Sequence, residues 1–172
     1  MSSKTTLPIV EAKMSFLDWP TPDGVATVVF VAGCSHNCAG CHSPQLQDAS
    51  LYPEIEVDKA AEVIEAMSRH NRTKNIVFSG GDPLFHSKGI SELMEILTGK
   101  DCGYRFCIYT GFEFEQASKM ISGFEFMKTG VYDELQRQES CKTDFHMVLA
   151  SKNQKMFDRN GKCLSVDGEI RF

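Results

Sequence analysis

The sequence predicts an α/β fold, a partial, open (βα) barrel of about five to six mostly parallel strands with its ligand sites at the carboxyl edge. Three observations carry this. Short apolar runs alternate with segments whose apolar residues recur at helical spacing, and glycines punctuate the strand ends. The chain has 172 residues, 42% of them hydrophobic. That is enough to close one core, but four strand-helix units with two further candidate strands cannot fill an eight-stranded barrel of about 250 residues. A single domain over residues 1–172 is expected.

Residues 1–24 lead in through Trp19-Pro20 and the turn formers Pro22-Asp23-Gly24, and the first strand is the buried apolar run Val25 to Ala32. A short helical turn plus loop is expected from Ser43-Pro44 to Pro53. Val57, Ala60, Ala61, Ile64 and Met67 then fall on one helical face, and Asn75 to Ser79 forms the second strand. Ile90, Leu93, Met94 and Leu97 mark the next helix, which Gly99 closes. Tyr104 to Tyr109 is the third strand. A helix carrying Phe114, Ala117, Met120 and Ile121 stops at Gly123, before a fourth strand from Phe124 to Met127. Phe145 to Leu149 and Glu169 to Phe172 are the further candidates. Strand-helix alternation with short links gives parallel strands and right-handed crossovers, so the connecting loops collect at the edge where ligands bind.

The most informative stretch is Gly33-Cys34-Ser35-His36-Asn37-Cys38-Ala39-Gly40-Cys41-His42. Cys34, Cys38 and Cys41, spaced Cys-x3-Cys-x2-Cys on a loop after a strand, can converge on one inorganic centre. A four-iron cluster normally takes four cysteines, so three leave one iron open to a substrate, as catalytic zinc sites keep one position open. Zinc with His36 or His42 as fourth ligand, and three inert buried thiols, are the alternatives.

This loop resembles the cluster loop of the radical S-adenosylmethionine (SAM) superfamily. Val29 to Cys34 and Gly40-Cys41-His42 are similar to the anaerobic ribonucleotide reductase-activating proteins. So are Lys128-Thr129-Gly130-x-Tyr132 and Asn153-Gln154 followed by Lys155, otherwise a surface loop by default, and the match extends over about residues 12 to 160. Ser43 stands where that group usually has Asn. The resemblance implies a 4Fe-4S cluster on Cys34, Cys38 and Cys41 and SAM on the open iron. One-electron cleavage then gives a 5'-deoxyadenosyl radical. It further implies that Gly80-Gly81-Asp82 receives the methionine moiety of SAM, with Asp82 in place of the commoner Glu. Gly40 and His42 would meet the adenine, Lys128 would pair with the carboxylate, and Thr110 would be a weaker member of the pocket. An ordinary Gly-Gly-Asp-Pro turn, an exposed loop histidine and a solvated lysine are the plain alternatives at these positions.

The implied substrate is a glycine α-carbon of an anaerobic ribonucleotide reductase, with an electron donor such as flavodoxin. An open face suits a protein loop that completes the cavity. A small-molecule radical SAM enzyme resembling 7-carboxy-7-deazaguanine synthase, and a non-catalytic metal-binding module, are the other classes. A net charge of -5 with lysines scattered singly argues against a nucleic-acid surface. Residues 1–20 lack a signal-type apolar core and no run has membrane-span length, so a cytoplasmic protein is expected. Seven cysteines without a regular framework suit a reducing compartment, with Cys102, Cys107, Cys141 and Cys163 as free thiols.

Overall fold

The computed structural model describes residues 4–21, 24–101, 103–139 and 147–171. Its strands are β1 (Thr6–Leu7), β2 (Ile9–Ser15), β3 (Ala26–Val31), β4 (Ile55–Glu56), β5 (Asn75–Gly80), β6 (Arg105–Tyr109), β7 (Phe126–Thr129), β8 (Lys155–Asp158), β9 (Ser165–Val166) and β10 (Glu169–Ile170). The helices are α1 (Val57–Asn71), α2 (Ser87–Lys100) and α3 (Phe114–Met120). Six strands form the main sheet in the order β2-β3-β5-β6-β7-β8. The four central strands, β3, β5, β6 and β7, run parallel, while β2 and β8 pair antiparallel at the two edges. The sheet is therefore mixed, and β2 and β8 do not pair with each other.

The central strands are covered on both faces, which is why they read as continuous apolar runs. On one face Val29, Val31, Ile76, Phe78 and Ile108 pack against the apolar stripes of the helices. Val57, Ala60, Ala61 and Ile64 supply that stripe on α1, and Ile90, Leu93, Met94 and Leu97 supply it on α2. Met67 lies half-buried toward the end of α1. On the other face Val28, Val77, Cys107, Phe126 and Met156 pack against Trp19, Leu149, Leu164 and Ile170.

Several boundaries differ from expectation. Helix α2 runs one residue past Gly99 to Lys100, and the Asp101 N–H closes it on the Leu97 carbonyl (3.0 Å). Gly99 has open space around it and ends nothing. Strand β7 begins two residues later than expected, because Phe124 owes its apolar character to the helix-side core rather than to the sheet. Lys128 is thus inside β7, opposite Tyr109 of β6 and Met156 of β8. The last strand of the sheet is β8, in the segment read as a loop. The candidate at Phe145 to Leu149 contributes an isolated bridge from Val148 to Glu169, and Glu169–Ile170 pairs with β9 in a separate hairpin. Phe145, Phe172, Cys102, Cys141 and the Pro22-Asp23 turn lie outside the described residues. Strands β1 and β2 fall in the segment read only as a lead-in to the first strand. Among the described residues no helix is long and apolar enough to cross a membrane.

Candidate active site

A cleft of about 390 Å³ opens at the carboxyl ends of β3, β5, β6 and β7, a size typical of small-molecule sites. Cys34, Cys38 and Cys41 line it, as do Gly80, Gly81, Thr110, Gly111, Lys128, His42 and Tyr132. Four consecutive parallel strands thus deliver their following loops to one place, the carboxyl-edge position at which open α/β sheets bind ligands.

The cysteine loop is tied at its root. Gly33 N–H donates to Leu46 O (2.7 Å) and Cys34 N–H to Gln47 O (2.9 Å), which anchors the loop to the short 3-10 turns that follow it. The three thiols are free and half-buried. Burial pushes the Cys34 thiol up from its ordinary range, and a backbone hydrogen bond from His36 works against that. Among the described residues the thiols are not drawn into a preformed ligand group. Soft, unbridged thiols on one wall of a cleft nevertheless suit iron-sulfur ligation, and metal binding would displace their protons. His36 is committed elsewhere: its Nε2 donates to Asp82 Oδ2 (2.7 Å) and its ring packs on Phe85 and Phe112. His42 is exposed, with its ring 4.6 Å from that of Tyr132. Gly40 sits in the exposed turn between Cys38 and Cys41, facing the Glu134 side chain.

The Gly80-Gly81-Asp82 segment is packed against this loop. Gly81 N–H donates to Val31 O (2.8 Å) and Asp82 N–H to Gly33 O (2.9 Å). A Cβ at Gly80 would lie 2.6 Å from Val31 O, and one at Gly81 would lie 2.7 Å from both Gly33 O and Leu46 O. The two glycines permit close passage of the main chain beneath the cysteine loop as well as lining the cleft. Asp82 is fully buried and does not line the cleft. Its Oδ1 accepts from Leu84 N–H (3.0 Å), and its Oδ2 accepts from His36, from the Thr110 hydroxyl (2.9 Å) and from Gly111 N–H (2.8 Å). Thr110 therefore borders the cleft with its hydroxyl already engaged.

Lys128 contrasts with these groups. Its Nζ lies 4.8 Å from the centroid of the Tyr109 ring, and among the described residues no carboxylate sits at ion-pair distance from it. Burial pulls its pKa below the ordinary lysine range, against the pull of Asp18, Cys107 and Asp82. The two parts of the tail motif meet here. Gln154 Nε2 donates to Gly130 O (3.1 Å) and Asn153 Nδ2 to Val131 O (2.9 Å), fixing the loop after β7. Among the described residues the Thr129 hydroxyl and Asn153 Oδ1 are buried with no hydrogen-bond partner, so polar capacity is left over on that motif. Tyr109 and Met147 also line the cleft, and the Tyr109 hydroxyl donates to Asp18 O (2.6 Å). Neither was marked by the sequence, since each looks like an ordinary core residue of a strand or loop.

Three free thiols at the carboxyl edge of parallel strands and a half-buried lysine thus share one small-molecule-sized cleft of an α/β protein. Residues 22–157 match the family model of the 4Fe-4S single cluster domain. The anaerobic ribonucleoside-triphosphate reductase-activating protein of Enterobacteria phage T4 is 25% identical over 105 residues, 60% of this chain and 67% of that protein. The 7-carboxy-7-deazaguanine synthase of Methanocaldococcus jannaschii is 29% identical over 129 residues, 63% of this chain but only 52% of that enzyme. The chain belongs to the 4Fe-4S single cluster domain family and is a member of the radical SAM superfamily.

Proposed function

We propose that this protein is a radical SAM activase that generates a glycyl radical on an anaerobic ribonucleotide reductase. The observation that carries the reading is the tail motif: Gln154 and Asn153 hold the segment after Lys128-Thr129-Gly130 at the cleft, opposite the cysteine loop. Similarity to the phage activating protein over two thirds of that protein's length supports it.

Cys34, Cys38 and Cys41 would hold a 4Fe-4S cluster, leaving one iron for SAM. Bound together, cluster and SAM supply a one-electron carbon-sulfur cleavage that leads to hydrogen abstraction. The chain's own residues position and shield. The Lys128 ammonium, half-buried and without a carboxylate at ion-pair distance among the described residues, would pair with the SAM carboxylate. Gly80 and Gly81 would offer main chain to the amino group, and Gly40 and the His42–Tyr132 ring pair would hold the adenine. Asp82 and Thr110 support that wall from behind. The sheet does not close, since β2 and β8 remain unpaired with each other, so a loop of the protein substrate would complete the cavity as in a partial barrel. A single cytoplasmic domain served by a flavodoxin-class electron donor completes the proposal.

The test is anaerobic reconstitution with iron and sulfide, reduction, and addition of SAM with a candidate reductase. A glycyl doublet in electron paramagnetic resonance, at about one per activated site and lost when the acceptor glycine becomes alanine, is the expected result. If no protein radical forms and a small pterin-like substrate accelerates cleavage instead, the small-molecule reading suggested by the archaeal synthase replaces this one.

A further inference from the structure

One buried carboxylate collects donors from three different loops. Asp82 belongs to the loop after β5 and caps the turn that begins at Pro83 through Leu84 N–H. From the loop after β3 it receives His36, which lies midway between Cys34 and Cys38. From the loop after β6 it receives the Thr110 hydroxyl and the Gly111 N–H. A carboxylate only accepts, so Nε2 of His36 carries the hydrogen in this contact. The links run on from both ends. His86, four residues beyond Asp82, reaches back to the Ala32 carbonyl (3.0 Å), and Thr110 N–H donates to Lys128 O (2.8 Å). Close contact reinforces the bond: a Cβ at Gly111 would lie 2.5 Å from the His36 ring, whose other neighbours are Phe85 and Phe112.

We infer that Asp82 and His36 are positioning residues that lock the loops after β3, β5 and β6 into one cooperative unit, so that the cysteine loop is held in register with the opposite wall of the cleft before any cofactor binds. The inference rests on the cysteine loop being the cluster loop, and is independent of which substrate is attacked. It also gives a physical reason for Asp at position 82. The carboxylate must cap its own turn at Leu84 while staying short enough to sit beneath Thr110 and Gly111, and one more methylene would drive it into that packing. A hydrogen-bonded buried carboxylate is costly to disturb, because each donor it loses is left unsatisfied.

Hydrogen exchange on the cofactor-free chain tests this without reference to catalysis. The amides to follow are those of Gly33 and Cys34, of Gly81 and Asp82, and of Gly111, with the core of β5 and α1 as internal reference. In His36→Phe, which keeps an aromatic ring against Phe85 and Phe112 but removes the donor, exchange should accelerate by about tenfold or more in all three loops together, while the reference amides stay protected. His36→Gln, which can still donate to Asp82, should restore protection to within about threefold of the parent. Asp82→Asn places an amide against the Gly111 N–H and should reproduce the His36→Phe pattern more strongly; if it does not fold, the two His36 variants decide alone. Acceleration confined to the cysteine loop, or protection restored by Phe as well as by Gln, would overturn the inference and leave His36 a packing residue. Because the chain carries neither cluster nor SAM in this experiment, its failure leaves the activase reading untouched.

Discussion

The two walls of the cleft are built on opposite principles. On the cysteine side the thiols are free, but the frame behind them is fully engaged: Asp82 has four donors, Thr110 is bonded to Asp82, and the root of the loop is pinned to Leu46 and Gln47. On the β7 side Gln154 and Asn153 spend their amide N–H groups on the loop, but other groups are left over. Among the described residues Lys128 has an aromatic face beside it and no carboxylate at ion-pair distance, and the Thr129 hydroxyl is buried without a partner. A satisfied wall holds its shape whether or not a ligand is present, whereas an unsatisfied wall gains most from one. The difference separates a wall framed in advance from one with polar capacity to spare.

The largest effect should come from breaking the cysteine side at its thiols. Replacing Cys34, Cys38 or Cys41 by Ala should take iron from about four per chain to near zero after reconstitution, while Ala at Cys102, Cys107, Cys141 or Cys163 should leave it unchanged. Iron analysis and visible absorbance check this, and loss of iron in the second group would undo the assignment. Next comes Gly81→Val. The added carbons would strike the Gly33 and Leu46 carbonyls, so a destabilisation of about 1–3 kcal/mol by overpacking and a reduced cluster yield are expected, seen as a lower Tm and less bound iron. A change confined to SAM affinity, with full cluster, would mean that this glycine serves the ligand and not the loop.

Lys128→Met probes the β7 side. SAM affinity measured by equilibrium binding to the reconstituted protein should fall by about tenfold to hundredfold, with iron content unchanged. Stability should not fall, because a desolvated cation is removed. Its pH dependence has a definite sign. The folded pKa lies below the usual 10.5, so the unfolded chain holds more protons between the two values. Stability therefore rises as pH climbs through that window, and SAM binding weakens in the same direction; a Tm that drops over that range in the parent but not in Lys128→Met would contradict the assignment. The smallest effect belongs to Tyr132→Leu. Losing one ring contact with His42 should cost up to about tenfold in SAM affinity and nothing in iron.

How much the sequence discloses follows the same division. Helices α1 and α2 and strands β3, β5 and β6 are long enough to show a period, and the cysteine spacing declares its chemistry locally. Strand β8 has four residues and an exposed lysine at its start, so no window is long enough to reveal it. The shift of β7 arises because Phe124 and Phe126 are apolar for different reasons, one facing the helices and the other the opposite core. The contact between His36 and Asp82 joins residues 46 apart in sequence, and nothing near either residue announces it. Gly80-Gly81-Asp82 could be placed at the cleft from its motif, but that its aspartate faces inward becomes visible only once three loops are assembled.

The second core has a further consequence. Trp19, Leu149, Leu164 and Ile170 fill the sheet face away from the helices, and Tyr109 and Met147 pack onto that layer while also lining the cleft. The layer works as a stopper, with a tyrosine hydroxyl latched to the Asp18 carbonyl at its upper surface. Trp19, Leu164 and Ile170 thereby reach the cleft without lining it, so a cavity cut at any of them would loosen Tyr109 and Met147 at the cleft wall without altering a single lining residue.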